Sequence, residues 1–314
     1  MAQRRPSCNR RRIQRQSVGE ARPTSIEAVA RGIRLRQHLS APSSGTAPRR
    51  QRTTLEALEE GHHHVSVPVV LVSDLTRRFG TRTALASVNL SLPQGAVYGL
   101  VGANGAGKTT LIKHLMGLLR AEHGSVRVFD RDPVADPVAV LSRIGYLSEE
   151  NDLPGWMRVD ELMRYTQAFY PTWDEGYAEE LRRAFALDAS AVIKTLSKGQ
   201  KARAGLLVAL AHRPALLVLD EPSSGLDPIV RRDILGAVIR TVADEGRTVL
   251  FSSHLLEEVE AVADHVTMID HGRIVLSAPL DAIRASHRVD DRVPSLAEIF
   301  VSHVGARPPS DADA

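Results

Sequence analysis

Between Gly102 and Thr109 the chain reads GANGAGKT, which fits G-x-x-x-x-G-K-[ST] without a gap, after the apolar run AVYGLV and before the helical run TLIKHLMGLL. Gly102, Gly105 and Gly107 let the backbone turn tightly and aim successive N–H groups inward, and the following helix adds its positive end. Such a loop cradles phosphates. Lys108 is placed to reach the β and γ phosphates and the Thr109 hydroxyl to ligate Mg²⁺. Asn104, Ala106 and Thr110 complete the cradle.

Two strand ends carry further chemistry. ALLVLDEP closes a buried-type strand with Asp220 and Glu221. In a doubly wound sheet ligands lie beyond the carboxyl ends of strands, so both acids are expected beside the phosphates. Asp220 would hold Mg²⁺ through water, and Glu221 would take a proton from the water attacking the γ phosphate. RTVLFSSH ends in His254, whose imidazole can donate to the γ phosphate or to that water. A third feature is TLSKGQKAR, where Ser197 is a good N-cap and opens an apolar helix whose exposed N–H groups suit an anion.

These residues need a parallel sheet covered by helices. From Val67 the runs VPVVLVSDL, ALASVNLSL and AVYGLVGA read as strands, followed by a helical segment over 156–192 broken at Pro171. Beyond it ALLVLD, RTVLFSSH and HVTMIDHGRIVLS are read as strands alternating with IVRRDILGAVIRTVADEG and LLEEVEAVADH as helices. Residues 1–65 are rich in Arg, Ser and Pro and are expected to be disordered, His62 to His64 being a surface tract; GARPPSDADA reads as a loose tail.

Composition narrows the class. No run of eighteen apolar residues is free of charge, so no membrane span is expected, and the lone Cys8 excludes an internal disulfide framework and suits a reducing compartment. The net charge of +3 divides into +11 over residues 1–55 and −8 over the rest. The acidic remainder is a poor surface for nucleic acid, which is not expected as a partner.

Taken in order, GANGAGKT, LSKGQ, LVLDEP, SGLD and the FSSH histidine resemble the nucleotide-binding subunits of ABC transporters over roughly residues 67–304, LSKGQ being similar to the family's LSGGQ signature. FYPTWDEGYAEELRRAFALD and SLAEIFV look like the exporter branch. The resemblance implies an α/β P-loop NTPase fold of the ABC type: a mostly parallel core sheet, an antiparallel β-subdomain and a helical insert at about 150–200. The domain would span 66–285, with a short segment at 286–304 and a disordered tail at 305–314.

It also implies ATP and Mg²⁺ as ligands, and two cassettes facing head to tail. Ser197, Lys198, Gly199 and Gln200 of one cassette would then contact ATP held by the other, with Asp227 at the seam. Phe79 would stack on adenine. Permease subunits on separate chains and a second cassette, identical or related, are the implied partners, on the cytoplasmic face of a membrane. One position departs from the family: where a glutamine usually follows a strand such as IGYL, this chain has Glu149, a carboxylate still able to ligate Mg²⁺. The competing reading is a soluble ATP-driven clamp, but the chain has neither the long coiled coil nor the paired cassettes usual there.

Overall fold

The computed structural model describes residues 68–150, 152–228, 231, 235–236, 239, 246–288 and 292–305. The Arg-rich extension with His62 to His64 and the tail lie outside the described residues, as does most of 229–245. The elements run β1 (Val70–Phe79), β2 (Arg82–Leu92), β3 (Val97–Val101), α1 (Lys108–Leu115), β4 (His123–Val128), α2 (Pro137–Leu141), β5 (Ile144–Leu147), α3 (Val159–Gln167), α4 (Glu175–Ala184), α5 (Lys198–Leu210) and β6 (Leu216–Asp220). There follow β7 (Thr248–Ser253), α6 (Leu256–Val262), β8 (His265–Asp270), β9 (Arg273–Pro279), α7 (Leu280–Ser286) and α8 (Leu296–Gly305).

One sheet has the order β5-β6-β7-β3-β8-β9 and the other β2-β1-β4. In the larger sheet every pairing from β5 to β8 is parallel and only β9 runs antiparallel, while the smaller sheet is wholly antiparallel. The expected α/β cassette, with its β-subdomain and helical insert, is therefore present.

Alternation along the central strands makes two cores. Leu217 and Leu219 of β6, Val249 and Phe251 of β7 and Val97 and Val101 of β3 pack on one face with α3, α4 and α5. Their sequence neighbours Leu216, Val218, Leu250, Tyr98 and Leu100 pack on the other face with α1 and the antiparallel sheet. A period of two sends successive side chains to opposite faces, and covering both faces makes these strands apolar throughout. Because α1 starts where β3 ends, the phosphate loop sits at the carboxyl edge of this buried sheet.

One reading is corrected. HVTMIDHGRIVLS is not a single strand but the hairpin β8–β9, turning at His271 and Gly272, which both have positive φ (43° and 73°). That pair of dihedral signs belongs to the tight two-residue turn that matches strand twist, here with His where Asn or Asp is usual. The helical segment does break at Pro171, between α3 and α4.

His212 fastens the insert to the core. Its ring stacks on Tyr170 at 3.9 Å and 22°, its Nε2–H donates to the Ile144 carbonyl at 3.1 Å, and its own carbonyl accepts from Thr172 Oγ1 at 2.9 Å. Burial lowers the pKa of His212, partly opposed by the Ile144 bond. The unfolded chain then takes up the proton more readily, so stability is level above the unfolded pKa of about 6.5 and falls as pH drops below it. The melting temperature is expected to fall between about pH 7.5 and about pH 5.5, and less steeply in His212→Gln, which keeps a donor but cannot titrate. An equally steep fall in that variant would remove His212 from the account. Burial lowers His114 likewise, so some dependence should remain.

Candidate active site

The loop from Gly102 to Gly107 is held open by what it packs against. Gly107 has φ 116°, a region closed to side chains, and a Cβ there would lie 2.8 Å from the Ala84 carbonyl. At Gly102 the restriction is space, since a Cβ would come within 2.2 Å of the Ile269 carbonyl. The backbone is thereby pressed between β2 and β8, and in front of it opens a cavity of about 490 Å³. Phe79, Asn104, Gly105, Gly107, Lys108, Thr109, Thr110, Glu149 and Glu221 all line it, together with Arg82 and Ala84. Gly102 and Ala106 lie in the loop behind the lining residues. Phe79 ends β1, is 48% exposed and has the Arg77 guanidinium 4.9 Å from its ring centroid.

At the back of the cavity Lys108 and Glu221 form an ion pair, each side chain 5% exposed, with Nζ 3.1 Å from Oε1. Lys108 also donates to the carbonyls of Gly102 (2.7 Å) and Ala103 (3.3 Å). Glu221 stands at φ 49°, where a non-glycine residue costs about 1–3 kcal/mol, and that backbone turn directs its carboxylate toward the phosphate loop. Its other oxygen accepts from His254 Nδ1 at 2.8 Å. Because that carboxylate only accepts, the proton sits on Nδ1, and Nε2 carries one only in the imidazolium form. Ser252 ties the two acids together: its hydroxyl donates to Asp220 Oδ1 at 2.6 Å and accepts the Glu221 N–H at 3.0 Å. Asp220 is thus fully buried behind Glu221, not on the cavity wall.

The family model described as ABC transporter matches residues 85–224. The bacitracin transport ATP-binding protein BcrA of Bacillus licheniformis is 30% identical over 70% of this chain and 72% of its own. The chain belongs to the ABC transporter family. A methionine import ATP-binding protein, MetN of Rhizobium etli, is 36% identical over 76% of this chain and 68% of its own. Among solved structures, an ATP-binding subunit of an ABC transporter superposes with a TM-score of 0.68 at 28% identity, covering 75% of this chain and 99% of that one. A bacterial ABC transporter cassette solved as a dimer shares the fold with a TM-score of 0.61 at 20% identity, over 67% and 98% of the two chains. ATP hydrolysis coupled to transport is the activity of such ABC cassettes, and this chain supplies the ATP-binding subunit.

The LSKGQ segment does not line this cavity, although its Lys198 shares a neighbouring crevice with Glu149 and Glu221. Ser197 and Gln200 cap α5 reciprocally: Ser197 Oγ accepts the Gln200 N–H at 3.2 Å and Gln200 Oε1 accepts the Ser197 N–H at 3.0 Å. The Gln200 side chain is therefore engaged within its own helix, while Ser197 still has a hydroxyl proton to donate. Neither lines the nucleotide cavity of this chain, and a Cβ at Gly199 would meet open space. Lys198 turns toward its own SGLD turn, where a Cβ on Gly225 would lie 2.2 Å from Nζ. Asp227 follows at that turn's end, its carbonyl accepting the Arg231 N–H at 2.8 Å.

Lys198 and Lys201 share a small crevice with Glu149, Glu150 and Glu221, so Glu149 forms a wall common to crevice and cavity. The departure from glutamine at 149 thus faces lysines on one side. Sequence reading missed Arg82, whose Nη2 donates to the Gly105 carbonyl at 3.3 Å, and Ser252. Both act on residues more than twenty positions away, which local pattern does not reveal.

Proposed function

We propose that this subunit drives an exporter by closing on a second cassette around ATP. The observation that carries the reading is that Ser197, Lys198, Gly199 and Gln200 are absent from the lining of the cavity that holds the buried Lys108–Glu221 pair, while Ser197 caps an exposed helix tip. A second copy, or a related chain, brings that tip to the γ phosphate. Ser197, the Gly199 N–H and the end of α5 then bind an anion that ATP offers and ADP lacks. Asp227 lies at the seam, and Lys198 and Gln200 support the tip.

Within each cavity Phe79 stacks on adenine and the loop N–H groups hold the phosphates. Glu221 accepts the proton of the attacking water, and His254, released from Glu221 or protonated, orients the γ phosphate. Thr109 and Glu149, which line the cavity, and Asp220, buried behind it and acting through water, are the residues that would hold Mg²⁺, which would supply charge neutralisation of the phosphates. Among the described residues there is no group of three or more His, Cys, Asp or Glu that could hold a metal ion.

No helix among the described residues is long and apolar enough to cross a membrane. Permease chains would supply the pathway, with the cassette on the cytoplasmic face. Trp156, Tyr165 and Phe169, exposed on the insert, suit an apolar partner surface. Export as the direction rests on the exporter-like segments FYPTWDEGYAEELRRAFALD and SLAEIFV; the methionine import relative is the contrary case.

The test is the concentration dependence of ATP hydrolysis by the purified chain. Activity per molecule is expected to rise with protein concentration and to be lost in Ser197→Arg, which places bulk and charge at the helix tip. Constant activity per molecule at every dilution, with Ser197→Arg as active as the parent, would defeat the reading.

A further inference from the structure

We infer that Glu258, in the first turn of α6, is a positioning residue that locks the Glu221 loop, the His254 loop and the SGLD turn into one unit. Its Oε2 accepts from Ser223 Oγ at 2.8 Å and from Ser253 Oγ at 2.7 Å. Ser223 stands two residues beyond Glu221, and Ser253 immediately precedes His254. The other oxygen, Oε1, is 3.4 Å from Arg231 Nε. Both of those atoms are buried without a hydrogen-bond partner, so each is the other's charge partner. Arg231 in turn donates from Nη2 to the Leu226 carbonyl at 3.2 Å, within the SGLD turn.

A single carboxylate, 11% exposed, thus joins the stretch from Glu221 through the SGLD turn to Arg231 with the end of β7, more than twenty residues further along the chain. None of its atoms lines the nucleotide cavity, so it acts through other residues. The Glu221–His254 contact spans two strand ends, β6 and β7, and Glu258 ties the residue beside each of them. Ser253 Oγ also accepts the Leu255 N–H at 3.0 Å, which continues the link into the start of α6. Through Arg231 the same carboxylate reaches the turn that the proposed function puts at the seam between cassettes. A shift of that turn is then transmitted to the distance between Glu221 and His254. The inference rests on that reading for the roles of Glu221 and His254.

The experiment is steady-state ATP hydrolysis by the full chain carrying Glu258→Ala, Glu258→Gln, Ser223→Ala, Ser253→Ala or both serine changes, with Glu221→Gln in parallel. Misplacement by about 1 Å can cost on the order of a hundredfold, so Glu258→Ala is expected to lower kcat about tenfold to a hundredfold with KM for ATP unchanged. Glu258→Gln keeps an oxygen for both hydroxyls but loses the charge facing Arg231, so it should recover the part of that loss owed to the two serine bonds, which a side chain acting only through its charge would not. Should Glu258→Ala fail to fold, the serine variants decide: each should lower kcat, and the pair should lose less than the product of the single losses, because both hydroxyls act through one oxygen. Full kcat in Glu258→Ala or in the double serine variant overturns the inference, as does a loss confined to KM or no recovery with Gln. An inactive Glu221→Gln beside a fully active Glu258→Ala overturns this inference alone, whereas full activity in both overturns the catalytic reading as well.

Discussion

Replacing Glu221 by Gln is expected to slow ATP hydrolysis by roughly 10² to 10⁴ fold, the range for removal of a general base, while leaving ATP bound. Part of the change falls on stability, because Lys108 loses its buried charge partner. Gln still offers an oxygen to His254 Nδ1–H, and Lys108 keeps its bonds to the Gly102 and Ala103 carbonyls, which softens that cost. The Ser252 bridge to Asp220 and to the backbone N–H of residue 221 is untouched. With hydrolysis blocked, two cassettes closed on ATP should accumulate and be visible as a dimer by size-exclusion chromatography with ATP, returning to monomer with ADP. Turnover near that of the parent would show that another group takes the proton.

Lys108→Ala should do more damage, because it acts on binding and on stability together. Charge-assisted bonds from an ammonium to phosphate contribute about 1.5–3 kcal/mol, so ATP affinity should fall at least about tenfold to a hundredfold. In the unliganded protein the change also leaves the Glu221 carboxylate buried without its cation, and breaking a buried ion pair from one side costs about 3–5 kcal/mol. The two effects separate in the double variant. Glu221→Gln combined with Lys108→Ala removes the stranded charge, so thermal stability should recover in part while ATP binding stays weak. Calorimetric unfolding and nucleotide titration of the two single variants and the double variant would measure both; equal melting temperatures for Lys108→Ala and the double variant would show that the pair contributes nothing to stability.

The cradle itself was legible in the sequence because everything that defines it is local. GANGAGKT needs only a strand before it and a helix after it, and β3 and α1 supply them; LVLDEP likewise becomes the carboxyl end of β6. The β8–β9 turn was not legible, since His271 in the left-handed region gives none of the Asn-Gly or Asp-Gly pattern that marks such hairpins. Gln200 shows a different difficulty. Its spacing from Ser197 is that of a capping box, but the same two residues also fit the family signature, and only the fold reveals that the amide is turned inward on its own helix. Nor does any local pattern indicate that Ser252 and Glu258 gather strand ends that lie about thirty residues apart in sequence, because those contacts exist only once β6 and β7 pair.

The reciprocal cap at Ser197 and Gln200 has a consequence for how fast and how tightly another surface can be met. A helix tip already fixed by its own side chains has little rotational freedom left to surrender on encounter, so the entropy of ordering, a major opposing contribution to most associations, is largely absent there. Such a tip behaves as a rigid die, not as a loop that must be moulded around its target.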